Sequence, residues 1–110
     1  MKHFLDSFVG YSEGGSVNVF LYDYDKVFSA GNQVKIRINC CPLVMKLTKV
    51  SYCWNDGEKT DVKAIFNHCW FRPIVPETPN NKPILKVITE VQFKGGEKDR
   101  QEHIFQINDM

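Results

Sequence analysis

Hydrophobic and polar residues alternate at a period of two through most of this chain, the spacing that a strand needs to send successive side chains to opposite faces. The clearest stretch is Leu47 to Gly57, LTKVSYCWNDG. Thr48, Val50, Tyr52 and Trp54 fall on one face, and Lys49, Ser51 and Cys53 on the other. Asn55-Asp56-Gly57 then stops the strand with three turn formers in a row. Upstream, Ser16 to Tyr24 reads as a strand with Val17, Val19 and Leu21 on one face and Phe20, Tyr22 and Tyr24 on the other. Both faces are apolar or aromatic, so one has material for a partner or for the lead-in segment. Gln33 to Cys41 alternates cleanly, with Val34, Ile36, Ile38 and Cys40 inward and Lys35, Arg37 and Asn39 outward; Pro42 ends it.

Downstream, Lys59 to Phe66 pairs back on the Leu47 strand across the Asn-Asp-Gly tip as a hairpin. His68 to Pro79 carries prolines at 73, 76 and 79, which remove ladder donors and place it at a sheet edge or outside the sheets. Pro83 to Lys94 is a long strand with Leu85, Val87, Thr89, Val91 and Phe93 facing one way. Gly95 to Arg100 reads as a polar loop, and Gln101 to Ile107 as the last strand of a second hairpin. Met1 to Gly15 is an irregular lead-in with room for a short helix over Phe4 to Val9.

About seven evenly spaced strands with turn signals between them predict an all-β chain: an Ig-like antiparallel β-sandwich with little helix. A doubly wound sheet would need helical stretches between strands, which are missing. Trp54 asks for a second layer deep enough to cover an indole. The predicted core is Val17, Val19, Leu21, Val34, Ile36, Ile38, Val50, Tyr52, Trp54, Val62, Ala64, Leu85, Val87, Val91, Phe93 and one face of the last strand. At 110 residues the organisation is one domain over 16–110 behind the lead-in 1–15.

The run VKIRINCC…LTKVSYCWNDGEKTDV resembles the B and C strands of bacterial Ig-like and polycystic-kidney-disease-type (PKD-type) modules. There, a strand of alternating branched residues leads into a Val-x-Tyr-x-Trp strand that ends in an Asp/Gly turn; Val50, Tyr52, Trp54 and Asn55-Asp56-Gly57 hold those places here. The Cys40-to-Trp54 spacing also resembles that of Ig domains. PILKVITEVQF departs from the antibody-type pattern, with no Cys for an inter-sheet disulfide and no Tyr for a tyrosine corner. The resemblance covers about a third of the chain and implies the sandwich; function has to come from a site.

Hydrophobic residues make up 43%, aromatics 13% and charged residues 25%, values of a globular chain. A net charge of +1, with basic residues alternating with acids along the strands, argues against nucleic acid as a partner. No window approaches the eighteen apolar residues of a membrane span, and Asp6 interrupts the short apolar runs that a signal peptide would need. The four cysteines, Cys40, Cys41, Cys53 and Cys69, read as free thiols in a reducing compartment, which places the protein in the cytoplasm. Secretion or surface display is the alternative if a leader has been trimmed.

Little catalytic chemistry converges. Ser7, Ser12, Ser16, Ser29 and Ser51 sit in no nucleophile elbow, and His3, His68 and His103 show no partner. Gly14-Gly15 and Gly95-Gly96 make no phosphate loop. Zinc could draw on Cys40, Cys41, Cys53, His68 and Cys69, but vicinal cysteines on a strand point to opposite faces. Calcium could draw on Asp23, Asp25, Asp56 and Glu58, which read equally as turn formers. The expectation is therefore no enzyme, no metal and no cofactor, but a protein-interaction module that binds a partner or itself. Its predicted surface is Trp70, Phe71, Arg72, Ile74, Tyr22 and Tyr24, because Trp and Arg concentrate at binding hot spots and the proline-rich edge does not guarantee their burial. The competing expectations are carbohydrate stacking on Trp70, Phe71, Tyr22 and Tyr24, and Trp70 folded back as a cap on the sandwich.

Overall fold

In the computed structural model the described residues are 12–13, 17–22, 27–40, 45–64, 68–77 and 83–107. The expected helix over Phe4 to Val9 and most of the lead-in lie outside them. The described strands are β1 (Ser12–Glu13), β2 (Val17–Leu21), β3 (Ile36–Cys40), β4 (Met45–Trp54), β5 (Thr60–Val62), β6 (His68–Phe71), β7 (Ile84–Phe93) and β8 (Lys98–Gln106). They form two four-stranded antiparallel sheets, β1-β2-β3-β6 and β5-β4-β7-β8. The chain changes sheet between β3 and β4, between β5 and β6, and between β6 and β7, and the two packed sheets make an all-β antiparallel sandwich. Among the described residues no helix is long and apolar enough to cross a membrane.

Period-two alternation becomes burial directly. In β2 and β3, Val17, Val19, Leu21, Ile36, Ile38 and Cys40 are buried while Asn18, Phe20, Arg37 and Asn39 face away. Cys69 and Val75 add to that layer, and Leu85, Val87 and Val91 supply the opposing one, joined by Met45, Leu47, Phe105 and Ile107. Tyr52, Trp54, Val62, Ala64 and Phe93, expected in the core, are only partly buried and pack against its border. Trp54 is the last residue of its strand.

Three local expectations are corrected. The ladder of β4 on β7 shifts between Leu47 and Lys49, so Thr48 is an extra residue and is exposed beside Lys49 instead of pointing inward. Its hydroxyl donates to the Glu90 carbonyl at 3.0 Å. The polar loop expected over Gly95 to Arg100 is shorter: Gly96 takes φ +95° and donates from its N–H to the Phe93 carbonyl at 2.9 Å, and β8 starts at Lys98. β4 begins two residues earlier than read, at Met45.

The Asn-Asp-Gly tip behaves as expected. Asn55 and Asp56 take φ of 50° and 59°, and Gly57 N–H donates to the Trp54 carbonyl at 2.8 Å, the twist-matched geometry of a primed turn. β6 is an edge strand, and the chain beyond it stays attached through other carbonyls. Val34 N–H donates to the Pro73 carbonyl at 3.0 Å, and Gly31 N–H to the Val75 carbonyl at 2.8 Å. Proline thus removes only its own donor: Pro73 still accepts, and Val75 N–H still donates to the Asn32 carbonyl at 2.8 Å.

Candidate interaction surface

The outer face of the first sheet is built by register. Asn18, Asn39 and His68 form one row across β2, β3 and β6; Phe20, Arg37 and Trp70 form the next. The antiparallel pairing continues one step past the strand ends, where Tyr22 N–H donates to the Lys35 carbonyl at 3.0 Å and Val34 meets Pro73. That brings Tyr22, Lys35 and Arg72 into a third row. Trp70 keeps 54% of its surface exposed. The Lys35 ammonium lies 4.5 Å from the Trp70 ring centroid and 4.6 Å from that of Tyr22, and the Arg72 guanidinium lies 5.3 Å from Trp70. An open depression of about 290 Å³ is lined by Tyr22, Lys35, Arg37, His68 and Trp70.

The described side chains of this face share one sign, and the register of β1 on β2 sets Glu13 opposite Asn18 at its far edge. Among the described side chains it carries Lys35, Arg37, His68 and Arg72 and no carboxylate. The alternation of bases with acids expected along the strands therefore does not hold here. Cation–π contacts hold Lys35 and Arg72 in place of ion pairs.

Of the expected binding residues, Trp70, Arg72 and Tyr22 come together on this face. Phe71 does not. One position from Trp70, alternation turns it inward, where it stacks on Tyr52 of the other sheet with centroids 5.2 Å apart. Ile74 is exposed beyond the strand and bridges Gln33 along the edge. Tyr24 lies outside the described residues. Trp70 does not fold back over the sandwich, so the cap expectation is overturned. Lys35, Arg37 and His68 were absent from the expected surface. Outward alternation of Lys35 and Arg37 was legible, but their neighbourhood with Trp70 depends on β3 pairing with β6.

The alternative chemistries disperse. Cys40, Cys53 and Cys69 are buried and not disulfide-bonded, and Cys41 is outside the described residues. Cys40 and Cys69 belong to the core of the first sheet, Cys53 sits beneath the outer side of the second, and His68 is exposed. Burial pushes the Cys69 thiol up to about 11, so its thiolate is scarce near neutrality. Among the described residues no three His, Cys, Asp or Glu side chains gather as a metal site. Asp56 is committed to Lys86 at 2.7 Å, a bond that holds its carboxyl below the usual range; Asp23 and Asp25 lie outside the described residues. His103, expected to lack a partner, is buried with Nε2 3.1 Å from Thr89 Oγ1, while its Nδ1 has none among the described residues. Burial pushes its pKa down. No family model matches the chain, and no curated protein or solved structure is significantly similar to it.

Proposed function

We propose that this chain is a non-catalytic protein-interaction module of the Ig-like kind, docking a partner protein through the outer face of its first sheet. The observation that carries the reading is the exposed Trp70 set among Lys35, Arg37 and Arg72 with no carboxylate among the described side chains of the face. An exposed indole flanked by guanidinium groups is the composition of a binding hot spot. Catalysis has less support, since no nucleophile and base converge among the described residues. Carbohydrate stacking has less support because Phe71 is turned into the core and the Trp70 ring already carries two cations. The lack of a disulfide at the three described cysteines supports a reducing, cytoplasmic setting.

The test compares Trp70→Ala with Ile104→Ala, an exposed position of the second sheet. In affinity capture from the source cells, Trp70→Ala should lose a protein that both the native chain and Ile104→Ala retain. Its unfolding free energy should change by no more than about 1 kcal/mol. Capture that is indifferent to Trp70, or a stability loss of several kcal/mol, overturns the reading.

A further inference from the structure

Resting on that docking reading, we propose that the partner presents a short acidic peptide segment whose carboxylates seat on Arg37 and on the Lys35–Arg72 pair. Charge complementarity is the first argument. Among the described residues none of these three cations has a carboxylate partner, whereas Lys86 and Arg100 on the opposite face are both paired internally. A partner's acids would thus meet two cations that the fold leaves to rings and a third, Arg37, with no ion pair among the described residues.

Spacing is the second argument. Lys35 and Arg37 are two residues apart on one strand, hence about 7 Å along it. Arg72 lies across from Lys35 on the adjacent strand, about 4.8 Å away. Two carboxylates at alternate positions of an extended peptide repeat at the same ~7 Å, so one can meet Arg37 while the next is shared by Lys35 and Arg72.

Ring occupancy and patch size separate a peptide from other polyanions. Lys35 and Arg72 already lie over the Trp70 ring, which takes away the open aromatic face that a nucleobase or a sugar would stack on. The basic patch spans three short strands on a chain of net charge +1, and the other sheet carries acids outward at Asp61, Glu90 and Glu102. A long phosphate or sulfate chain would run off the patch onto those acids; a few residues of peptide would not.

The experiment titrates the native protein with a synthetic ten-residue peptide carrying Glu at alternate positions, followed by Trp70 fluorescence and by anisotropy of a labelled peptide. The Gln counterpart, a ten-nucleotide single-stranded DNA and a sulfated hexasaccharide are titrated alongside. The Glu peptide should bind at least tenfold more tightly than the other three. Lys35→Glu and Arg37→Glu should each weaken it at least tenfold with melting curves little changed, and Lys59→Glu on the second sheet should leave it unchanged. Equal binding of the Glu and Gln peptides, no binding of either, or tighter binding of the DNA or the sugar overturns the inference. If the Glu peptide fails while Trp70-dependent capture of a protein persists, the acidic segment is wrong and the docking face stands; if capture is indifferent to Trp70, the docking face itself is wrong.

Discussion

The two outer faces of this sandwich are made from similar residues at the same period and end in opposite electrostatic states. On the second sheet, Lys86 reaches Asp56 at 2.7 Å and Glu102 at 3.8 Å, Arg100 reaches Glu102 at 3.0 Å, and Lys49 stands opposite Glu90. On the first, Lys35 and Arg72 rest on Trp70, Lys35 also on Tyr22, and the described side chains include no acid. Exposed ion pairs and exposed cation–π contacts each contribute only up to about 1 kcal/mol, so stability does not tell the faces apart. Availability does. A face that neutralises itself is a solvated skin, and a face whose described cations have no ion-pair partner keeps its field for whatever approaches.

The sharpest way to break this comparison is to cross from outside to inside along one strand. Ile38→Ala, at a fully buried position under the basic face, should cost about 2–5 kcal/mol in urea denaturation, while Arg37→Ala one residue away should stay within about 0.5 kcal/mol. Equal costs would mean that Arg37 is part of the packing, and the face would lose its claim to be free.

A smaller effect belongs to the interior behind the neutral face. His103 is buried and its pKa in the folded protein lies below the ordinary 6.5, so the unfolded chain takes up the proton first. Stability should therefore be level above neutrality and fall as the pH drops through about 6.5 toward the folded-state pKa. His103→Asn should flatten that limb in melts taken between pH 5 and 8; an unchanged slope would assign the proton uptake elsewhere. The smallest effect should come from Asp56→Asn. It removes a bond made by a carboxylate that is itself well exposed, and melting curves at neutral pH should barely move. A large shift would show that the second face is a structural network and not a solvated surface.

Much of the fold was legible because its determinants are local. Alternation assigned the inward sets of β2, β3 and β7, and Asn55-Asp56-Gly57 marked a turn that the backbone realises with two positive φ values. Proline at 73 marked the edge. Thr48 was misread because a bulge adds one residue and resets the alternation, and nothing in the local pattern announces it. His103 was read without a partner because Thr89 Oγ1 reaches it only through the pairing of β7 with β8.

The candidate surface was half legible for the same reason. Trp70 and Arg72 stood out by residue type and by their proline-flanked setting, and Tyr22 by the surplus of rings on its strand. Phe71 was grouped with them by proximity in sequence, yet a strand sends neighbours to opposite sides, so it went to Tyr52 and the core. Lys35 and Arg37 joined the surface only when β3 paired with β6 in the register that sets Arg37 beside Trp70. The sequence by itself determined which side chains leave each strand on which side, because that follows from backbone geometry over two residues. Only the tertiary structure decided which strands are neighbours, and with that the sign of each face, because a field is summed across strands that lie far apart along the chain.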